Sequence, residues 1–185
     1  MSRWLGPVLV LLACAAGVHA LTLNVAPGFI MARAMDALAQ RGVTLHDFTA
    51  PRRISPQTQA VVRSSPDLYY ALCRYDLGQN GVDQAAEQRL AVAMAKWGDY
   101  QSLSFFDART NNFATVRGTG KAVAVNLLPP GSAPQKGAIV SPSAKGVILI
   151  RRLAPTRELF DQAAASVGDE CRFLAESGPQ TGLSR

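Results

Sequence analysis

The sequence has too few histidines and cysteines for most metal and redox chemistry. It contains two histidines and three cysteines in 185 residues. His19 lies in the apolar N-terminal segment, so His46 is the only histidine further along the chain. This count excludes zinc sites built on several histidines. No Gly-x-Ser-x-Gly motif is present, and a Ser-His-Asp or Cys-His arrangement would have to use His46 as its base.

The sequence also lacks any block of like charges. Charged residues make up 17% and hydrophobic residues 48% of the chain, which excludes an intrinsically disordered protein. The formal net charge is +6, but the only basic pairs are Arg52-Arg53 and Arg151-Arg152. We interpret the basic residues as solvated surface charge and expect no nucleic-acid binding. A net positive charge favours weak association with anionic envelope surfaces.

The first 20 residues have the pattern of a secretory signal. Arg3 precedes an uncharged apolar run over residues 4–17, and the segment ends in Val18-His19-Ala20. This order predicts cleavage after Ala20. The run is shorter than the roughly 20 apolar residues that span a bilayer. We therefore expect a soluble mature chain without a transmembrane segment, located in the periplasm or secreted.

The three cysteines have two different predicted fates. Cys14 leaves with the signal, unless it is the acylated cysteine of a lipoprotein after Leu11-Leu12-Ala13, which is the alternative. Cys73 and Cys171 remain, and an even count in an oxidising compartment predicts a disulfide. The two cysteines lie 98 positions apart. A crosslink over a loop of that length stabilises the fold by about 4–5 kcal/mol in the chain-entropy model, because it lowers the entropy of the unfolded chain. Two buried free thiols are the alternative.

Hydrophobic periodicity predicts an α+β fold: N-terminal helices, then an antiparallel meander sheet of three to five strands, then a C-terminal helix. We expect residues 1–20 to be the signal, 21–176 a single domain and 177–185 a loose tail. Gly and Pro positions set the element ends. The predicted strands are 21–25, 43–48, 103–105, 113–117, 122–127, 138–140 and 147–150; the predicted helices are 29–40, 56–63, 66–78, 83–97 and one from Pro155 to about 167, with a further turn at 171–174.

A calcium loop is one candidate site, between the predicted helices 66–78 and 83–97. Counted from Asp76 as position 1, Asn80 takes position 5 and Glu87 position 12 of such a loop. Gly78 offers no side-chain ligand at position 3, and Asp83 replaces the usual apolar residue at position 8. A helix hairpin without metal explains the same residues, so we predict no metal and no cofactor.

Three other motifs have simple structural interpretations. Residues 117–121 (Arg-Gly-Thr-Gly-Lys) are similar to a phosphate loop but lack its first glycine and its Ser or Thr, so they predict a hairpin turn. The spacing of the carboxylates carries no catalytic information. The aromatic residues near position 100 are expected to pack in the core, with a recognition surface as the alternative. The carboxylates are Asp161, Asp169 and Glu170, and the aromatic residues are Trp97, Tyr100, Phe105 and Phe106.

Three hypotheses about function remain open. The first is an exported, non-enzymatic binding or accessory protein of a bacterial-type cell envelope, similar in role to an inhibitor or immunity factor. Its partner would be an unidentified protein or an anionic envelope surface. The second is a small secreted hydrolase that uses His46 or carboxylates. The third is a calcium-dependent binding protein that uses residues 76–87.

Overall fold

The computed structural model describes residues 2–53, 64–78 and 89–174. A short 3-10 helix, Ser2–Trp4, leads into the long first helix. The elements that follow are α1 (Leu5–Gln40), β1 (Leu68–Asp76), β2 (Leu90–Met94), β3 (Gln101–Phe106), β4 (Asn112–Arg117), β5 (Val123–Leu128), β6 (Ala138–Val140), β7 (Lys145–Leu153), α2 (Arg157–Ala164) and β8 (Glu170–Phe173).

Helix α1 runs without interruption through the segment that the sequence pattern divides into a signal, a strand and a helix. The predicted strand over residues 21–25 is therefore wrong. Alternation over five residues does not distinguish a strand from a helix that is apolar on every face. Pro27 lies inside α1. The predicted strand over residues 43–48 is reduced to isolated bridges from Leu45 and Thr49 to β1.

Eight strands form two four-stranded sheets. Sheet 1 has the order β1-β7-β3-β4, and sheet 2 has the order β6-β5-β2-β8. All pairs are antiparallel except β5 with β6, which are parallel. The α+β class, with an N-terminal and a C-terminal helix, is confirmed. The strand order is not that of a meander, because β7 lies between β1 and β3 and β2 lies between β5 and β8.

Two predicted helices are strands. Strand β1 replaces the helix predicted over 66–78, and its burial alternates so that Tyr69, Ala71, Cys73 and Tyr75 face the core. Strand β2 replaces the C-terminal half of the helix predicted over 83–97. Apolar and small residues in both segments satisfy a period of 3.6 and a period of 2 equally well, so tertiary pairing decided between them. The helix predicted over 56–63, the first residues of the 83–97 helix and the tail 177–185 lie outside the described residues.

The other strand predictions are confirmed. Strands β3, β4, β5 and β6 each overlap their predicted segments, and the run over 147–150 lies in the central strand β7, as expected for a segment buried on both faces. Helix α2 begins after Thr156, whose side chain accepts a hydrogen bond from the Leu159 N–H and so caps the helix. Residues 170–173 form strand β8 rather than the predicted turn.

The core lies between the two sheets. A single cluster of buried apolar side chains contains residues from both, among them Phe105 and Ile150 of sheet 1 and Leu90 and Leu127 of sheet 2. The Cys73–Cys171 disulfide is present and joins β1 to β8 across this core. It therefore links the two sheets.

Gly146 in β7 leaves room for a buried tyrosine on the neighbouring strand. A Cβ at this position would overlap the Tyr75 hydroxyl and the carbonyl oxygen of Phe106. We predict that Gly146→Ala lowers the free energy of unfolding by about 3 kcal/mol, the upper end of overpacking costs, because backbone and a buried ring must both move. Urea denaturation measures this loss. Gly98→Ala is the control, since a Cβ at Gly98 meets nothing within 4 Å, and an equal loss in both variants would contradict the prediction.

Candidate functional site

Arg152 is the most deeply buried charge in the described part of the chain. It lies in β7 with no exposed surface. Its guanidinium binds both carboxylate oxygens of Asp169, with Nη1 donating to Oδ2 over 2.7 Å, and Nη2 also donates to the carbonyl oxygen of Ala95. The rings of Tyr69 and Trp97 lie on it, each 5.9 Å from Cζ. Two-point carboxylate binding and aromatic stacking are the environment in which arginine tolerates burial.

The partners of Arg152 extend this network between the two sheets. Gln101, fully buried in β3, accepts a hydrogen bond from Arg152 Nε and donates from Nε2 to the carbonyl oxygens of Gly118 and Lys121. Asp169, just before β8, also accepts from the Ala95 N–H over 2.8 Å. The network therefore fixes the loops at the ends of strands from both sheets, and every polar atom named here has a partner.

The interpretation of the basic residues as solvated surface charge is wrong for Arg152. Its neighbour Arg151 is half-buried, and sequence reasoning did not separate the two. One signal was available, because Arg152 follows the apolar run of a central strand at the spacing that points inward with Ile148 and Ile150. Nothing local pointed to Asp169 as its partner, 17 positions away and just before a strand of the other sheet.

His46 is bound to the main chain of β1. It has a φ of 57°, and its Nε2 lies 3.0 Å from the Asp76 nitrogen, which donates to it, and 3.2 Å from the Asp76 carbonyl oxygen. The ring also contacts the ring of Phe173 edge-on at 4.5 Å. Burial lowers the pKa of His46, and this outweighs the Asp76 carbonyl and carboxylate, which favour the charged form. The imidazole is therefore neutral near pH 7, with Nε2 occupied by the backbone.

We predict that His46 makes the fold sensitive to mild acid. Its pKa is lower in the folded chain than in the unfolded chain, so the unfolded state binds more protons as the pH falls from about 6.5 toward the folded pKa. The urea midpoint should decrease across that window. His46→Asn, which tolerates a positive φ, should remove this part of the pH dependence, and His19→Asn should retain it. An unchanged slope in His46→Asn would contradict the prediction.

Of the three candidate calcium ligands Asp76, Asn80 and Glu87, Asp76 alone lies in the described residues. Asp76 is buried at the end of β1, where Oδ1 accepts the Gly78 N–H and Oδ2 pairs with Lys145 Nζ at 3.1 Å. Asn80 and Glu87 lie outside the described residues, so the loop itself is not tested. Within residues 2–53, 64–78 and 89–174, no group of three or more His, Cys, Asp or Glu side chains is placed to hold a metal ion.

The carboxylates noted in the sequence are scattered, and arginines pair with them. Asp169 binds Arg152 in the core, Glu170 pairs with Arg172 at the surface, and Asp161 pairs with Arg157 one turn away on α2. Asp107, which sequence reasoning did not single out, is buried and accepts hydrogen bonds from the side chain and N–H of Asn111 and from the Arg109 N–H. Burial favours the neutral form of Asp107, but these hydrogen bonds outweigh it and lower its pKa.

Residues 118–121 form a turn between β4 and β5. The predicted hairpin is wrong, because β4 lies in sheet 1 and β5 in sheet 2, so the turn connects the two sheets. The amide groups that a phosphate would need already donate within the protein: Gly118 to the Gln101 carbonyl, Gly120 to that of Trp97 and Lys121 to that of Gly118. Gly120 has a φ of 71°, which explains the glycine at that position. The geometry therefore fits a tight turn and offers no phosphate cradle.

The aromatic residues near position 100 do not form one surface. Phe105 is fully buried in the core cluster, and Trp97 packs against that cluster and donates from Nε1 to the Leu153 carbonyl. Phe106 is half-buried. Tyr100 is 37% exposed, and its hydroxyl donates a hydrogen bond to Ser102 Oγ. Core packing accounts for the first two residues, and Tyr100 alone among the four presents a large exposed surface.

Helix α1 has the largest exposed apolar surface in the described chain. It is the one described helix that is long and apolar enough to cross a membrane, and none of its most apolar window is buried. An N-terminal apolar helix of this kind is compatible with a signal peptide, and together with the Cys73–Cys171 disulfide it indicates export. Cys14 is exposed on this helix and is a free thiol.

The chain superposes on part of two longer proteins of known structure. The VPA0106 protein from Vibrio parahaemolyticus superposes with a TM-score of 0.52 and 15% identity, over 82% of this chain and 35% of that one. An uncharacterized protein from Burkholderia cenocepacia gives a TM-score of 0.40 and 12% identity, over 71% of this chain and 34% of that one. This chain thus spans about a third of each of them. At these identities the likeness to the Vibrio protein shows the fold alone.

The sequence comparisons give a family without an assigned activity. No curated protein matches the chain with significance. The family model described as "Protein of unknown function (DUF1254)" matches residues 46–172, which include strands β1 to β7, α2 and all of β8 except Phe173. The matched segment also contains His46, both disulfide cysteines and the Arg152 network. The chain therefore belongs to the DUF1254 family.

Proposed function

We propose that this protein is an exported, non-enzymatic binding or accessory protein that acts in the cell envelope. The domain would present a rigid, disulfide-linked pair of sheets to a protein partner. Its net charge would add a weak attraction to anionic envelope surfaces. The proposal concerns residues 64–78 and 89–174, where the sheets lie, together with the segment at 43–49 that covers β1.

One observation carries the proposal. In the part of the chain that the structure describes, two candidate general bases, Asp169 and His46, are already bound to other parts of the same chain. Arg152 and Asp169 bind each other, and His46 Nε2 binds the Asp76 main chain. A general base needs a free lone pair within reach of a substrate proton. Because these side chains are occupied within the protein, they stabilise the fold and are not free to react with a substrate. This supports a binding function over a catalytic one.

The disulfide supports the envelope location. Cys73 and Cys171 are both buried, and their bridge joins the two sheets. Disulfides of this structural kind persist in oxidising compartments and are rare in the cytosol. The apolar N-terminal helix provides the export signal that such a location requires.

Covalent capture in cells tests the proposal. The full-length chain with a C-terminal affinity tag is expressed in the producing cell, the envelope is treated with a short amine-reactive crosslinker, and captured proteins are identified by mass spectrometry. The matched control bait carries residues 1–40 fused to an unrelated folded domain. We expect one protein to be captured reproducibly by the full chain and not by the control.

Two results would overturn the proposal. One is repeated capture of the same proteins by both baits, since the domain would then contribute no specific binding. The other is hydrolysis of ester, peptide or glycoside substrates by the purified chain that His46→Asn abolishes, since that would favour the hydrolase hypothesis.

A further inference from the structure

The first part of α1 extends away from the folded domain. Every residue from 5 to 25 is exposed, and only beyond residue 25 does burial begin, with Met31 reaching 7% exposure. These 21 positions of the helix would extend about 31 Å at a rise of roughly 1.5 Å per residue. The hydrocarbon core of a bilayer is about 30 Å thick. The free part of the helix therefore matches one bilayer in length.

This part of α1 is apolar on every face. The nearest charged side chains are Arg3 before it and Arg33 after it, so residues 4–32 carry no formal charge. A helix without a polar face belongs in a hydrophobic core or a membrane, and this one is not buried in the domain. Its exposed large side chains are Leu5, Val8, Leu9, Val10, Leu11, Leu12, Val18, Leu21, Leu23 and Val25, each at least 47% exposed.

The more polar side chains of this part of α1 are His19, Thr22 and Asn24, and the last two are satisfied within the helix. The Thr22 hydroxyl donates to the Val18 carbonyl over 2.8 Å, and the Asn24 amide donates to the Ala20 carbonyl over 2.9 Å. Unsatisfied donors are costly in lipid, and bonding back to the preceding turn is how such side chains are accommodated there. Thr22 and Asn24 therefore do not exclude this segment from a bilayer.

The helix also passes through the predicted cleavage position without a break. Cleavage after Ala20 would leave an apolar overhang on the mature chain, in which Leu21, Leu23 and Val25 are 56–64% exposed. Further along, Phe29 and Ile30 are exposed by 59% and 57%. A cleavable signal has an apolar region of about 7–15 residues, and the uncharged part of α1 is longer.

The far end of α1 places the domain close to the membrane surface. Residues 26–28 are half-buried, Met31 is buried and the helix contacts β7. Arg33 lies with Cζ 5.2 Å from the centre of the Phe29 ring, and Arg41 is exposed just after the helix. A long basic side chain near the end of a membrane helix can reach the interface between lipid and water, as Arg33 would here.

We infer that residues 5–25 span the lipid bilayer and remain attached, so that the domain is anchored to the membrane instead of being released. In that position the exposed apolar side chains of residues 5–25 contact the acyl chains in the interior of the membrane. The inference goes beyond the proposed function and holds for either side of the membrane, whatever the partner of the domain is.

Extraction and intact mass test the anchor. Membranes from cells that express the full chain are washed with high salt and alkaline carbonate, then solubilised with detergent. We expect the protein in the washed membranes, released only by detergent, with a mass that retains residues 1–20. A mass that begins at Leu21, an acylated N-terminus at Cys14, or release by carbonate would each overturn the inference.

Two variants separate anchoring from processing. Ala20→Leu blocks a signal peptidase site, and we expect it to behave as wild type because no cleavage occurs. If Ala20→Leu moved a soluble protein to the membrane, the wild type would be cleaved and the inference would be wrong. Leu21→Asp/Leu23→Asp shortens the apolar span, and we expect at least half of that protein to become extractable by carbonate. Leu38→Asp, located beyond the span, is the charge control and should stay in the membrane.

Protease treatment of intact spheroplasts shows on which side of the membrane the domain lies, independently of whether the helix anchors it. Digestion of the domain in intact spheroplasts supports export. Protection of the domain together with carbonate resistance would overturn the export proposal and leave the anchor standing.

Discussion

Asp169→Ala should reduce the free energy of unfolding by about 3–5 kcal/mol, the cost of removing one partner from a buried ion pair. The substitution leaves the Arg152 guanidinium inside the protein with no counter-charge, because Arg152 has no exposed surface from which to reach water. It also removes the acceptor of the Ala95 N–H. Urea denaturation of the detergent-solubilised full chain, followed by tryptophan fluorescence, measures the loss.

The surface pair Arg157–Asp161 provides the matched control. Its side chains are 83% and 67% exposed and their charged atoms lie 3.8 Å apart. Asp161→Ala should therefore change stability by about 0.5 kcal/mol or less, as exposed pairs do. A similar loss in both variants would contradict the assignment of Asp169 as the essential partner.

A double substitution tests the physical cause. Arg152→Met/Asp169→Ala removes the uncompensated charge and replaces the arginine by an apolar side chain of similar length, so it should be more stable than Asp169→Ala alone. If the double variant instead lost the sum of both single effects, the stabilisation would come from independent contacts and not from a charge pair.

Removal of the disulfide should have an effect of similar size. Cys73 and Cys171 are separated by 98 positions, and a crosslink over such a loop is worth about 4–5 kcal/mol in the chain-entropy model. We expect Cys73→Ala/Cys171→Ala to lower the urea midpoint strongly, and reduction of the wild-type chain to lower it by a slightly smaller amount. The double variant replaces two nearly inaccessible sulfurs, so a small cavity cost adds to the loss.

Cys14 provides the control for this experiment. It is a free thiol on the exposed part of α1, outside the domain. Cys14→Ala should have the same urea midpoint as the wild-type chain, both when the two are compared under oxidising conditions and when they are compared under reducing conditions. A wild-type midpoint that does not respond to reductant would show that the bridge does not stabilise the fold, and would weaken the argument for an oxidising compartment.

The disulfide and the buried ion pair both act near the start of strand β8. The disulfide joins Cys171 within β8 to the middle of β1, and the Arg152–Asp169 pair joins the residue just before β8 to β7. Strand β8 is a short edge strand of sheet 2. Both links connect that edge to sheet 1, which makes the relative position of the sheets rigid. A rigid surface loses little conformational entropy on binding.

Sequence reasoning succeeded where a local pattern leaves a single structural solution. Three segments each have a local signal that fits one type of element. They are the alternation with serine in β3, the β-branched run in β7 and the proline, Pro155, at the start of α2. Their positions are confirmed. The cysteine count after removal of Cys14 leaves one intramolecular pairing, and that disulfide is present.

It failed where two periods fit the same residues. The segment Leu90–Met94 reads Leu-Ala-Val-Ala-Met, which places apolar side chains on one face of a helix or on one face of a strand. The choice depends on whether backbone groups find partners along the same segment or on neighbouring strands. Here β2 pairs with β5 on one side and β8 on the other, and no short window of sequence contains those partners.

By itself, the sequence determined the apolar N-terminus, the single disulfide and the α+β class, because each follows from composition or from a period within one segment. Only the tertiary structure decided that β1 and β2 are strands, that Arg152 lies in the core and that His46 Nε2 is bound to the backbone. The physical reason is that burial of a polar group is acceptable only where distant residues supply its hydrogen bonds. For Arg152 those residues are Gln101 and Asp169, which only the folded chain brings together.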